Sequence, residues 1–515
     1  MPETRLGGVR LALIVAMAAG TLGLGLGGSG RLTYHEAFVA QGAREMIARG
    51  DVLVPTIGGR PWLEKPPMVW WLVALAGRIA GGVSESAARA PSALAATALA
   101  LGVATLAARR FGATAGGLAG LVQASTSWTV MRGRLAEADM LLACLVTWTV
   151  VAFDRSRGEP EGKRPWRWVF FAGLGLTALA KGIGFGAAMV GASVAVIVAW
   201  DRDRESLHRL RFWPGWALAG TVAMTWPVLT ALRHPSVLGL WTLHVTDRLA
   251  SRPEHFAGGP WWQYGPALLV QALPWTPLAL LGAGPSLVRA FAGRGRGGGD
   301  RLLWAWAVAP VVLLSLATVK NAHYAIHALP PWSIWAALGL MQLGERLRRR
   351  GWTPDRIRRG AWIGFAGVGL AIGLGFATLG PRFDRRGVEW AFYEDAARLL
   401  RPGEPLALLY DDWDRDPDPT PFGPVPHDLA VRLYYLDRPA CWRLGVESLA
   451  DRPPSPSRDA FAVIGRDRDL PGLRRLGRVE TVARGPATRF DRTYTLFRIT
   501  PGEWNLAAKA RVRKE

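Results

Sequence analysis

The sequence predicts a mostly α-helical, polytopic membrane protein: about eleven transmembrane helices, juxtamembrane helices in the first outer loop, and a small C-terminal α/β domain outside the membrane. Three observations carry this. Half of the 515 residues are hydrophobic. They gather in runs of about 17–25, the length a helix needs to cross a bilayer. The arginines cluster in short loops between those runs, which is the positive-inside pattern.

On a soluble chain a formal net charge of +22 would raise nucleic acid as a partner. Here the basic residues mark membrane sidedness, and nucleic acid is not an expected partner. Of the two cysteines, Cys144 falls in an apolar run and Cys441 in the polar C-terminal region, so neither a disulfide framework nor a metal-thiolate site is expected. The sequence shows no dinucleotide fingerprint, P-loop or internal repeat.

Taken in order, Arg5 and Arg10 stand at the N-terminal start of an apolar run from about Val9 to Gly28. It is long for a signal-peptide core and has no clear small-residue cleavage site, so an uncleaved first span with a cytoplasmic N-terminus is expected. The stretch 33–67 follows, too polar for hydrocarbon, carrying His35, Glu36, Glu45, Asp51, Glu64 and Lys65 and ending in Pro66-Pro67, which stops a preceding helix. Later spans are expected at 88–108, 113–131, 138–153, 167–180, 183–200, 214–232, 265–286, 302–319, 325–343 and 361–380.

The segment 68–83 could span by hydropathy, and charge decides against it. If it crossed, the basic loops near Arg109, Arg157, Arg204, Arg294 and Arg348 would all face away from the basic N-terminus; if it lies at the outer interface, they all join it inside. Trp70, Trp71 and Arg78 suit an interfacial helix. This topology puts 33–67, the turn 132–139, Lys181, the loop 233–262 and 320–324 on one outer face, and the C-terminus outside as well. Charges at a membrane edge are costly, so a convergent set points to function.

Beyond 380 the pattern changes. Strand-length apolar runs at 406–410, 461–465, 479–483 and 494–499, with helices near 390–400 and 428–436, predict the α/β domain, so the boundary is set at 1–380 and 381–515. Asp411, Asp412, Asp414 and Asp416 lie in a Pro/Asp loop that lacks the glycine of an EF-hand, and read as a solvated loop.

The outer face offers the carboxylates Glu36, Glu64 and Asp139, the cations Lys65, Lys181, Arg248 and Lys320, and the histidines His35, His244, His255 and His323. Carboxylates beside cations at a lipid boundary suit transfer from an anionic lipid-linked donor. One carboxylate takes a proton from an attacking hydroxyl, while cations or a divalent ion stabilise the phosphate leaving group. A transporter buries similar groups, so a transporter or flippase of a lipid-linked sugar stays open, as does a non-catalytic, membrane-anchored binding protein working through 382–515.

The run HEAFVAQGAREMIARGDVLVPTIGGRPWLEKPP resembles the first outer loop of the membrane glycosyltransferases of the GT-C fold, in the branch of the protein O-mannosyltransferases and the lipid A aminoarabinose transferase. RLAEADMLL (134–142), LAKG (179–182), the tryptophan-rich stretch 244–275 and KNAHYAIHALPP (320–331) extend the likeness in order across most of 1–380. The resemblance implies transfer of a sugar, with inversion, from a polyprenyl-phosphate donor to a lipid, glycan or protein acceptor on the outer side of the plasma (inner) membrane. It implies Glu36 as general base or acceptor-positioning group, in a pair that usually reads Asp-Glu and here reads His35-Glu36, and Asp139 as the second acid. Lys65, Lys181, Arg248, Lys320 and Tyr324 are implied as donor-side contacts, and Glu64 with His244 as ligands of a divalent metal.

Overall fold

The computed structural model describes residues 6–28, 30–160, 163–242, 259–292, 298–317, 320–384, 386–410, 428–454, 459–487 and 493–501. By its internal contacts the chain divides into two compact units: one made of 1–27 and 63–379, the other of 28–62 and 380–515.

The first unit is helical. Among the described residues four helices are long and apolar enough to cross a membrane: Glu85–Phe111, Trp213–Arg233, Gly299–Leu316 and Pro354–Arg382. A fifth candidate is the pair Tyr264–Gln271 and Thr276–Ala292, bent by 118°. Several expected spans are interrupted. The run 113–131 splits into Ala113–Ala124 and Ser127–Gly133. Ser125 and Thr126 turn their hydroxyls back onto the carbonyls of Leu121 and Val122 (2.7 and 2.8 Å), and the Ser127 amide leaves the helix for Leu273 O (2.8 Å). Such back-bonding offers the chain an alternative to helix continuation. The stretch expected at 325–343 opens as the 3-10 turn Ala322–Ala328 before the helix Pro330–Arg349. Met68–Ala80 is a helix of 13 residues, about 20 Å long against a hydrocarbon core of about 30 Å.

Small residues set the helix spacing. Thr276–Ala292 packs against Pro330–Arg349 so closely that a Cβ on Gly282 would stand 2.0 Å from Trp335 O, and one on Gly339 2.0 Å from Leu278 O. Without a hydrophobic drive between helices in lipid, such close approach supplies the van der Waals contact that holds them.

Several of the arginines that mark the basic loops in the sequence are ion-paired. Asp154, with no exposed side-chain area, takes Arg109 (3.0 Å) and Arg110. Asp201, equally buried, takes Arg157 (2.5 Å) and Arg301 (3.0 Å), and Arg157 also reaches Asp203 (3.0 Å). These pairs tie together the ends of the helices Glu85–Phe111, Ala138–Ser156, Phe185–Asp201 and Gly299–Leu316.

In the second unit the hairpin of β1 (Thr56–Ile57) and β2 (Arg60–Pro61) follows the helix Tyr34–Arg49. The C-terminal part is a five-stranded sheet of β3 (Leu406–Tyr410), β4 (Cys441–Leu444), β5 (Phe461–Arg466), β6 (Gly477–Ala487) and β7 (Thr493–Pro501), ordered β4-β3-β5-β7-β6. The first three run parallel, and β7 and β6 join antiparallel. β3 is buried along its whole length, as a central parallel strand must be. Ala407, Leu409, Phe461, Val463, Phe497 and Ile499 form the core on one face. The expected strands are present; β4, an edge strand, is added to them, because its half-buried Cys-Trp-Arg-Leu carries no alternation to read. The aspartates from 411 to 416 lie outside the described residues. Both cysteines are free thiols.

Candidate active site

In the helical unit the site grows from the start of one helix. Ala138–Ser156 begins straight after the turn that contains Glu137, and places Asp139 in its first turn, where the helix dipole favours an anion. Pro165–Lys181 ends at Lys181 because Gly182 and Gly184 adopt φ of 109° and 94°, which only glycine takes readily. The Lys181 ammonium donates to Asp139 Oδ1. The other carboxylate oxygen, Oδ2, accepts from Arg132 Nη2 at 2.9 Å. Arg132 also pairs with Glu137. All four side chains are mostly buried, between 11% and 15% exposed, so water screens these charges weakly.

Aromatic rings complete the surroundings. The Lys181 ammonium lies 4.5 Å from the ring centre of Tyr324 and 5.5 Å from that of Phe185, within cation–π range. Phe185 stands edge-on to Tyr324 at 5.2 Å and to His327 at 5.7 Å, and His323 stands edge-on to Tyr324 at 4.5 Å. Burial pushes the His323 imidazole down to about 4; Asp139 opposes this, and the charges of Lys181, Arg132 and Lys65 add to the fall. His323 is therefore neutral at pH 7. Arg132 Nε is buried without an acceptor.

The structure thus brings together Asp139, Lys181 and Tyr324 of the expected residues, with the charge of Lys65 reaching His323. Glu64 and Lys65 are half-buried in the loop before Met68–Ala80, which Trp241 Nε1 pins by donating to Leu63 O at 2.9 Å. The Lys320 ammonium donates to Ala317 O at 2.6 Å, three residues back along its own chain. Arg248, His244 and His255 lie outside the described residues. Sequence reasoning named neither Arg132, Phe185 nor His327 for the site. Arg132 sits seven residues before Asp139, and nothing in local spacing announces that the two side chains meet.

Glu36 belongs to the second unit. Its side chain closes a capping box: Glu36 N donates to Thr33 Oγ1 (3.2 Å), and Thr33 N donates to Glu36 Oε2 (2.9 Å). Glu36 is fully buried, while its neighbour His35 is exposed. Among the described residues no three His, Cys, Asp or Glu side chains converge as a metal site. Glu64 by itself is short of the donor set a divalent ion takes, and its expected partner His244 lies outside the described residues.

Residues 64–230 match the family described as dolichyl-phosphate-mannose-protein mannosyltransferase. The chain is 29% identical over 341 residues to the undecaprenyl phosphate-alpha-4-amino-4-deoxy-L-arabinose arabinosyl transferase of Edwardsiella ictaluri, covering 62% of this chain and 59% of that one. It is 30% identical over 321 residues to the second such transferase of Sodalis glossinidius, covering 60% and 56%. The chain spans about three-fifths of the length of these curated relatives. In structure it matches ArnT from Cupriavidus metallidurans bound to undecaprenyl phosphate, with a TM-score of 0.73 at 19% identity over 95% of this chain and 97% of that one. The oligosaccharyltransferase of Archaeoglobus fulgidus gives a TM-score of 0.58 at 12% identity over 89% and 69%. The chain has the GT-C fold of these structures, and in sequence it resembles the aminoarabinose and mannosyl transferases that use lipid-linked sugars.

Proposed function

We propose that the protein is an integral-membrane glycosyltransferase that moves a sugar, with inversion, from a polyprenyl-phosphate donor to an acceptor on the outer face of the plasma (inner) membrane. The observation that carries this is the cluster in which Asp139 holds Lys181 and Arg132 together while a buried guanidinium donor of Arg132 goes unanswered. Phosphate oxygens supply the acceptors such donors lack, and an arginine and a lysine side by side suit a phosphate leaving group. The sequence relatives, named as undecaprenyl-phosphate aminoarabinose transferases, support the same donor chemistry.

In this reading Lys181, Arg132 and Lys65 receive the donor phosphate, with Arg248, Lys320 and Tyr324 as further donor-side contacts. Asp139 keeps the two nearest cations from repelling one another and holds their heads in place until the phosphate takes up part of that charge. Neutral His323 adds no positive charge that would tighten product binding. Glu36, in the first outer segment, takes the proton from the acceptor hydroxyl as its oxygen bonds to the anomeric carbon and the lipid phosphate departs. Glu64 and His244 are the side chains assigned to a divalent ion.

The same reading has about eleven spans, a cytoplasmic N-terminus, a C-terminal domain of 381–515 on the periplasmic side, and a lipid, glycan or protein as acceptor. The test is lipid mass spectrometry of cells with and without the protein. The expected result is a glycan mass shift on the acceptor and accumulation of the polyprenyl-phosphate sugar when the protein is lost. Unchanged lipids, polysaccharides and protein glycans would overturn the reading.

A further inference from the structure

The short segment that leads into the helix Tyr34–Arg49 is held in an unusual way. Three successive backbone amides, which no helix or sheet serves, are each captured by a side chain. Arg31 N donates to Asp384 Oδ2, Leu32 N to the Tyr435 hydroxyl (2.8 Å), and Thr33 N to Glu36 Oε2 (2.9 Å). Two of those three acceptors come from 380–515, within the same compact unit. The side chains repeat the arrangement. The Arg31 guanidinium makes a two-pronged pair with Glu394 (2.6 and 2.7 Å) and lies 5.1 Å from the centre of the Tyr435 ring. Tyr34 stands edge-on to Trp390 at 5.9 Å, and Trp390 lies parallel to Tyr435, 9° apart in plane. Gly30, at φ 130°, passes so near Asp384 that a Cβ would sit 3.1 Å from its carboxylate.

We propose that Arg31, Glu394 and Tyr435 are positioning residues for the turn that carries His35 and Glu36, and that the C-terminal domain contributes to transfer through this clamp. The inference rests on the reading of that turn as the acceptor side of the site. Buried backbone N–H groups must find partners, and a bidentate arginine–carboxylate pair fixes direction as well as distance. A base must stand within hydrogen-bond reach of the proton it takes, and a misplacement of about 1 Å from a remote change costs up to about a hundredfold in rate. Holding residues 31–33 by three separate side chains fixes where the first helical turn starts.

The experiment uses the full chain in lipid and two conservative variants. Tyr435→Phe removes only the hydroxyl that accepts from Leu32 N, and Glu394→Gln keeps the shape but not the charge of the arginine's partner. Hydrogen exchange of the amides at 31–36 is followed with that of β5 and β7 as the internal control. Transfer is measured with undecaprenyl-phosphate 4-amino-4-deoxy-L-arabinose as the donor probe and lipid A as the acceptor probe. The expected result is exchange about tenfold faster at 31–36 with β5 and β7 unchanged, and a kcat about tenfold lower with the donor KM unchanged. The charge-reversed pair Arg31→Glu with Glu394→Arg is expected to recover part of both. Unchanged exchange at 31–36 overturns the clamp. Faster exchange with normal kcat overturns its part in transfer, as does a parallel loss in both strands and both kinetic constants. A parent protein that transfers nothing to any acceptor overturns the transferase reading instead, and the exchange arm still decides whether the clamp exists.

Discussion

Asp139 accepts a hydrogen bond from the ammonium of Lys181, 42 residues further along the chain, while its other oxygen takes Arg132. One carboxylate thus neutralises parts of two cations on separate helices. Asp139→Asn leaves Lys181 and Arg132 facing each other with little exposure. Breaking a buried pair from one side costs about 3 kcal/mol or more, so the variant is expected to melt at a clearly lower temperature and to lose transfer by more than about a hundredfold. Lys181→Met should cost less in stability, since Arg132 can still serve Asp139. The double variant should be less damaging than the two losses added, because both remove one interaction. Thermal unfolding in detergent checks the first point and a double-mutant cycle the second; strict additivity would break the link between the two residues.

The capping box at Thr33 and Glu36 allows folding and chemistry to be separated at a single position. Glutamine at the third helical position closes a capping box as glutamate does. Glu36→Gln is therefore expected to keep the melting temperature and membrane insertion of the parent while abolishing transfer. Glu36→Ala should lose transfer and also about 1 kcal/mol of stability, the worth of the hydrogen bond it accepts from the Thr33 amide. Turnover retained by the glutamine variant moves the base to another residue.

His323 gives the fold a pH signature. Its imidazole falls from an ordinary 6.5 to about 4, chiefly through burial. Between those values the unfolded chain binds a proton that the folded chain refuses, so stability rises with pH from about 4 to 6.5 and is level above it. Replacing His323 with phenylalanine should flatten that slope in melting temperature measured across the window. A slope unchanged in the variant assigns the effect to another group.

The fold was legible where one residue type repeats over a long run. Apolar segments announced the helices, and β3, β5, β6 and β7 were readable because each is a short apolar stretch bounded by turn residues. The breaks at Ser125 and Thr126 were not, because a hydroxyl that bonds back to its own helix looks the same in sequence as one that faces a neighbour. The site divides in the same way. Asp139, Lys181 and Tyr324 sit in sequence motifs and lie together in the structure, whereas Arg132 and Phe185 join them through tertiary contact alone. The sequence offers Glu36 as a candidate base, and the structure adds that it closes the cap of its own helix.

Sidedness is the remaining step, and charge predicts it. Lys163 and Arg164 lie in a basic loop after Ala138–Ser156, and Arg167, in the first turn of Pro165–Lys181, is paired with Glu159 at 3.3 Å. His35 is exposed one residue into the helix that follows the first apolar run. The positive-inside rule assigns the first set to the cytoplasm and, across a single span, the second to the outside. In a background with Cys144 and Cys441 replaced by serine, His35→Cys is expected to react with a membrane-impermeant maleimide in intact cells. Lys163→Cys is expected to react only after the membrane is opened. Both positions are exposed, so failure to label intact cells reports the membrane and not burial. Equal labelling of the two positions in intact cells would place them on one side, and the outward-facing transferase would lose its topology.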